Sequence, residues 1–389
     1  MTNGVGPAKL PLTGLRVIDL TLARAGPTCV RHLADWGADV IRVLPPESAR
    51  QDLTGHRRSS DYQNLHRNKR AVVIDLKSEV GHRALIELVR KADVLVENMR
   101  VQVKHRLKIA YDDLREVNPR LVYGSISGFG QTGPYSARAG VDQIAQGMGG
   151  LMSVTGEPGR GPMRAGIAVA DMTAGNLLAL SILMALYERE RTGVGRWVHT
   201  SLLESQVFLM DFQASRYLMD DDVPGQVGNG HPTLVPTGTF ETRDGYVNVA
   251  PSSPRQWKQF CEVCERPEWL TNPAWASYTD RRRARADIDA AIASVMREQT
   301  TAYWVERLEA AGIPGGPIYR MDEVFADPQV QHLGLAAPVP HPERGSTRLV
   351  GSPLNFEGVP KVLRTAAAIE VDPADRLTFL GDDSPPGVE

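Results

Sequence analysis

The period of apolar and polar positions changes along this chain, and the change divides it. Up to about residue 220, short and nearly continuous apolar runs at 15–20, 39–44, 71–76, 94–98 and 121–127 read as strands. Such runs fit strands covered on both faces, as in a parallel sheet. Amphipathic helical stretches at 25–36 and 78–91 lie between them. The alternation predicts an α/β, doubly wound, Rossmann-like large domain. A long helical pattern free of proline follows at 171–191, then a strand at 197–202 and a helix at 203–220. Residues 220–238 are rich in Gly, Pro and polar side chains and read as a linker or mobile loop. Beyond them, Arg243-Asp244-Gly245 sits between two alternating runs within 237–251, which is a hairpin signature. Helical stretches at 254–264, 281–298 and 302–312 complete a small α+β domain. The pattern then leads through a helix near 321–333 to strands within 336–357 and a weakly patterned tail.

Composition removes several functional classes. Lys and Arg number 44 against 46 Asp and Glu, for a net charge of -2, which argues against a mainly electrostatic binder of nucleic acid or membrane surfaces. The longest strongly apolar run, 177–187, is well short of the ~20 residues a membrane span needs. The N-terminus has no apolar signal region. Three cysteines, Cys29, Cys261 and Cys264, cannot build a disulfide framework, so the expected home is the reducing cytoplasm. The G-x-G-x-x-G, P-loop, G-x-S-x-G and H-E-x-x-H patterns are all missing. Cys261 and Cys264 lie on an amphipathic stretch with Trp257 and Phe260 and read as packing. Arg281-Arg282-Arg283, beside Asp280 and Asp287, reads as a solvated helix face. The nine histidines show no ligand spacing, so no metal site is expected.

One segment carries chemistry. In 166–175, Asp171 stands directly before a long apolar helix, among the small residues Ala170, Ala174 and Gly175. Its carboxylate can be an N-cap that accepts backbone N–H bonds. It can equally be a nucleophile, held ionised by the helix dipole and donors, with small neighbours that let a bulky substrate approach. The two roles can coexist.

A series of short motifs, in order from about 11 to about 358, then becomes recognisable. It includes Ile18-Asp19-Leu20-Thr21 with Ala25-Gly26-Pro27, then Gly37-Ala38-Asp39, Asn68-Lys69-Arg70 and Ala92-Asp93-Val94. Asn118-Pro119-Arg120, Gly128-Phe129-Gly130, Gly156-Glu157-Pro158, Gly228-Asn229-Gly230, Gly312-Ile313-Pro314 and Gly351-Ser352-Pro353 continue it. The chain resembles the class III CoA-transferases, the CaiB/BaiF family, which also holds α-methylacyl-CoA racemase. That resemblance implies a Rossmann-like large domain (1–220, completed by 330–389) and a small domain (226–325), joined by two linkers in an interlocked homodimer. It implies an enzyme that moves CoA from an acyl-CoA donor to a carboxylic acid, with no metal and with no nucleic-acid or membrane partner. Succinyl-CoA is a common donor among such enzymes.

By that resemblance Asp171 is the nucleophile, passing through an aspartyl acyl anhydride and an aspartyl-CoA thioester. The start of its helix and nearby backbone N–H groups would stabilise the oxyanions. Positions matching the family's CoA contacts are Arg24 and Ala25, then Ile74, Asp75, Leu76 and Lys77. Asn98, Met99, Arg100 and Arg106 follow, and the loop Arg138, Ala139, Gly140 and Val141 would line the pantetheine arm. Gly228-Asn229-Gly230 would be a mobile lid or an ordinary linker. The chain departs from the pattern at Pro45-Pro46-Glu47, after the second strand, and at Leu380-Gly381-Asp382-Asp383. Two rival readings remain. A racemase needs bases on both faces of the α-carbon, but the family's His is replaced by Val141 in Gly140-Val141-Asp142. A CoA-binding protein without catalysis would not need Asp171.

Overall fold

The computed structural model describes residues 10–46, 59–341, 344–361, 363–366, 369–370 and 379. Glu47 and 380–383, where the sequence departs from the family pattern, lie outside them. Its strands are β1 (Arg16–Asp19), β2 (Asp39–Leu44), β3 (Arg70–Val73), β4 (Val94–Glu97), β5 (Val122–Ser127) and β6 (Trp197–Ser201), then β7 (Gly238–Glu241), β8 (Tyr246–Val249), β9 (Gly315–Pro317), β10 (Ala336–His341), β11 (Gly345–Val350) and β12 (Ile369–Glu370). The first eight helices are α1 (Ala25–Asp35), α2 (Ser60–His66), α3 (Glu79–Lys91), α4 (Val101–Arg106), α5 (Tyr111–Arg115), α6 (Asp142–Met148), α7 (Leu151–Val154) and α8 (Val169–Thr192). The remainder are α9 (Leu202–Leu209), α10 (Asp211–Asp220), α11 (Pro254–Val263), α12 (Tyr278–Arg283), α13 (Arg285–Met296), α14 (Thr301–Ala310), α15 (Met321–Ala326) and α16 (Pro328–His332).

The chain divides into two compact units. One comprises 1–151, 164–222 and 328–389, and the other 152–163 and 223–327. The first is built on a parallel seven-stranded sheet in the order β12-β3-β2-β1-β4-β5-β6. Consecutive apolar residues on its strands serve opposite faces. Val17, Val40, Val94 and Val122 pack with Leu33 of α1 and Leu178 and Ile182 of α8. Their neighbours Ile18, Ile41, Leu95 and Tyr123 pack with Leu85 and Leu88 of α3. Each such side chain, fully buried, contributes ~1.5–3 kcal/mol, so both faces of the sheet stabilise it. Ser78 begins α3 as its N-cap, accepting from the Gly81 N–H at 3.0 Å.

Several elements depart from the sequence expectations. Of the run 71–76 only the first three residues join the sheet, in β3 (Arg70–Val73), because Asp75 turns the chain into the α3 cap, its carbonyl accepting from the Ser78 N–H. The helix expected at 203–220 breaks into α9 and α10, with Asp211 in the left-handed region at φ 42°. By length and composition α8 alone among the described helices could cross a membrane, although its strongest apolar run is short. It lies instead against α1, β5, β6 and α9. Gly175 makes the α1 packing possible, since a Cβ there would sit 2.6 Å from the Ala25 carbonyl oxygen.

The second unit holds the antiparallel sheet β7-β8-β9 and a core of Trp257, Phe260, Trp269, Trp275, Ile288 and Trp304. Cys261 and Cys264 are buried in that core as free thiols, and burial pushes both pKa values up. Arg281 is no solvated residue. It is buried, its guanidinium lies 5.3 Å from the Trp257 ring centroid, and it donates to the Val235 and Trp275 carbonyls at 3.2 Å. The arginine run therefore holds one buried side chain and two exposed ones, Arg282 and Arg283, which its uniform sequence hides.

Candidate active site

In the first unit the strand order is β3-β2-β1-β4-β5-β6, which reverses direction between β1 and β4. In such sheets ligands bind outside the carboxyl ends of the strands at this switch point. The two loops there are tied together. The Leu22 N–H donates to Asn98 Oδ1 at 2.8 Å, and Asn98 Nδ2 donates back to the Leu22 carbonyl at 2.8 Å. Below them, β1 ends in Asp19 and β4 in Glu97, both fully buried. Lys69 Nζ donates to Asp19 at 2.9 Å, and Lys104 Nζ to Glu97 at 2.9 Å. Burial alone would raise Asp19, but Lys69, Arg42 and the Thr21 bond outweigh it and hold the carboxyl below its usual range. Asn68-Lys69-Arg70, one of the recognised motifs, is thus a clamp. Asn68 donates to Asp35, Lys69 to Asp19 and Arg70 to Asp39.

The residues singled out for CoA fall beyond the carboxyl ends of β1, β3, β4 and β5. Leu76, Lys77 and Arg106 share one cleft of about 790 Å³ with His82, Arg83 and Lys108. Its cationic lining is suited to phosphate groups. Arg24 lines a different cleft and is paired with Asp61 at 2.6 Å. The Ala25 and Ile74 side chains are buried, which leaves only backbone for a ligand. Asp75 Oδ1 is taken by the Lys77 N–H, and the Met99 N–H by Glu97. Arg100 is exposed at the cap of α4. Arg138 is exposed and lies 4.3 Å from the Tyr135 ring centroid. Ala139 and Val141 are exposed beyond it, and Gly140 packs on Gly128, where a Cβ would meet the Gly128 Cα at 2.6 Å.

Asp171 occupies the third position of α8 and not its cap; the helix begins at Val169 after Ala168. The cap comes from another element. Asp142, at the start of α6, accepts from the Ala170 N–H at 2.9 Å and the Asp171 N–H at 3.3 Å. Among the described residues the next amides are also engaged, Val169 with the Ile167 carbonyl and Met172 with that of Ala168. The helix start therefore offers no free donor to an oxyanion, contrary to the sequence expectation. Nor is the Asp171 carboxyl held strongly ionised. Burial first, then the Asp142 charge, push it up to about 6, while Arg24 pulls it down. Ala170, Ala174 and Gly175 are buried against the core and α1, so their small size serves close helix packing. Asp142, which caps α8 beside Asp171, is the residue of this candidate site that sequence reasoning passed over. Its signal was the Gly140-Val141-Asp142 stretch, read only for its missing His.

The family model for CoA-transferase family III matches residues 12–368. A succinate–glutarate CoA-transferase of Agrobacterium fabrum is 36% identical over 84% of this chain and 84% of its own. The human succinyl-CoA:glutarate CoA-transferase is 33% identical over 89% of this chain and 80% of its own. Among solved structures, a CaiB/BaiF family protein from Brucella suis superimposes with a TM-score of 0.81 at 32% identity, covering 94% of this chain and 97% of that one. With a matching fold, a matching family model and curated CoA-transferases at this identity, the chain belongs to CoA-transferase family III and is an enzyme of that family.

Proposed function

We propose that this enzyme transfers CoA from an acyl-CoA donor to a carboxylic acid through a covalent intermediate on Asp171. The observation that carries this reading is a half-buried carboxyl, at the start of the central helix, whose pKa of about 6 leaves it ionised yet poorly solvated at neutral pH. An Asp171 oxygen attacks the thioester carbonyl; a C–O bond forms, the C–S bond breaks and CoA thiolate leaves. The thiolate then attacks the Asp171 carbonyl of the anhydride, releasing the donor carboxylate and leaving an aspartyl-CoA thioester. The acceptor carboxylate attacks the aspartyl-CoA thioester carbonyl, so that a C–O bond forms, the C–S bond breaks and CoA thiolate leaves. Thiolate attack on the acceptor acyl carbon of this new anhydride then gives the acceptor's CoA thioester and releases Asp171 as carboxylate. Asp142 is a positioning residue that caps the helix and raises the basicity of its neighbour.

CoA would lie along the Lys77 and Arg106 cleft, over the Asn98 loop and toward Arg138. Val141, exposed before α6, has no proton to exchange and so disfavours a racemase. A homodimer, interlocked through its two units, is part of the reading. Large apolar side chains stand exposed on α8, α9 and α10, among them Met184, Tyr187, Phe208, Leu218 and Met219. Such patches mark interfaces.

Asp171→Asn tests the mechanism, because it keeps size and polarity but removes the nucleophile. Transfer should fall by at least ~1000-fold while CoA still binds, by analogy with loss of other covalent catalytic groups. Wild type mixed with acyl-CoA should carry a hydroxylamine-trappable adduct on the Asp171 peptide. Near-normal turnover by the Asn variant would end the covalent reading.

A further inference from the structure

We propose that Arg31 recognises a second carboxylate on the transferred acyl group, so that the substrates are dicarboxylic acids. The inference rests on the transferase reading and names its substrate class.

A cleft of about 690 Å³ runs between α1 and the start of α8. Four arginines line it: Arg24, Arg31, Arg67 and Arg164. Three have acidic partners, Arg24 with Asp61 at 2.6 Å, Arg67 with Asp35 at 2.6 Å and Arg164 with Asp142 at 3.8 Å. Arg31 has none among the described residues. It is 9% exposed, and its Nε is buried without a hydrogen-bond acceptor. Asp35, the acid that lines the cleft, is already taken by both forks of Arg67 and by Asn68. His32 bonds Asn176, and burial lowers its pKa, so it adds no charge at neutral pH. Burial and then the Arg67 charge lower Arg31 to about 10, which still leaves it cationic.

An unpaired, buried guanidinium is costly unless an anion completes it. Its planar fork matches a carboxylate. The place of the cleft says which carboxylate. Its α8 wall is Ala168, Met172 and Asn176, on either side of Asp171. Arg24 stands close enough to Asp171 to lower its pKa. Arg31 lies seven residues further along α1 on the same face, about 10 Å along the helix axis. An acyl chain of a few carbons, with its thioester carbonyl at Asp171, can therefore set a distal carboxylate at Arg31. Ile167, Ala168 and Met172 offer its methylenes an apolar wall.

The test compares acceptors of equal length: glutarate, its monoamide, and valerate, each with succinyl-CoA and with butyryl-CoA as donor, products read by mass spectrometry. Wild type should favour glutarate by at least ~100-fold in kcat/KM, the discrimination expected when a buried donor is left without its partner. Arg31→Met should collapse that ratio, with the loss in the glutarate arm, and Arg31→Lys should restore part of it. The ligand-free Met variant should melt at the same temperature or higher, since it removes an unpaired charge. A structural or interface role would instead lower its melting temperature or dissociate the protein. A fall in affinity for free CoA would assign Arg31 to a CoA phosphate. Either result overturns the proposal, as does wild-type transfer that treats glutarate and its monoamide alike, which needs no variant. No transfer by wild type with any pair would instead overturn the transferase reading itself.

Discussion

Two groups of buried charges in the first unit behave oppositely. At the carboxyl ends of β1 and β4, every charge is matched. Asp19 faces Lys69 and also accepts from Thr21, while Glu97 faces Lys104 and the Met99 N–H. Lys104 donates further to Gln131 Oε1 at 2.7 Å. Along α1 and at the start of α8, charges are mismatched. Asp171 stands beside the like charge of Asp142, and Arg31 has no partner among the described residues. Matched pairs hold the switch point in shape. Mismatched groups are costly to the folded protein, which is why perturbed ionisable groups are candidates for functional sites.

The contrast can be broken most sharply at Lys69. Lys69→Met leaves Asp19 buried and uncompensated, and should cost ~3–5 kcal/mol of stability in denaturant titration. Pairing it with Asp19→Leu should recover much of the loss; an equal loss in the double variant would mean that the pair is not matched as described.

At the mismatched site the sign reverses. The folded pKa of Asp171 is raised from 3.8 to about 6, so the folded state binds its proton more tightly than the unfolded chain. No cost exists below about pH 4. The cost grows as pH rises and is complete above about pH 6, where it reaches at most ~3 kcal/mol. Asp171→Asn should therefore stabilise the protein at pH 7.5 and change nothing at the lowest pH that it survives. Melting curves at both pH values measure this; destabilisation at pH 7.5 would show that the carboxylate is matched after all.

The smallest effect concerns Asp142. Asp142→Asn keeps an oxygen to cap α8 but removes the charge that raises Asp171. The acid limb of kcat/KM, expected near pH 6 in wild type, should move to lower pH. A limb that stays in place would assign the shift to burial alone.

Much of this was legible before any coordinates. The runs 39–44 and 121–127 became β2 and β5 because continuous apolar sequence has few other homes. The long helix was legible from its pattern, but its first turn was not. Val169 and Ala170 carry no start signal, and the cap is Asp142, which folds back from 29 residues before Asp171. Arg281 was misread for a related reason. A charged residue is normally solvated, and only the Val235 and Trp275 carbonyls, brought close by folding, make its burial affordable.

By itself, then, the sequence determined the α/β alternation, the break in pattern near 220, and the ordered motifs that carry the family and single out Asp171. These are local quantities: period, turn chemistry and residue identity. Tertiary structure alone decided which charges are paired. Arg24, Arg31, Arg67 and Arg164 look alike as letters, and among the described residues three meet an acid while one does not. Pairing depends on what the fold brings within a few ångströms from distant positions, and burial then sets how much a missing partner costs.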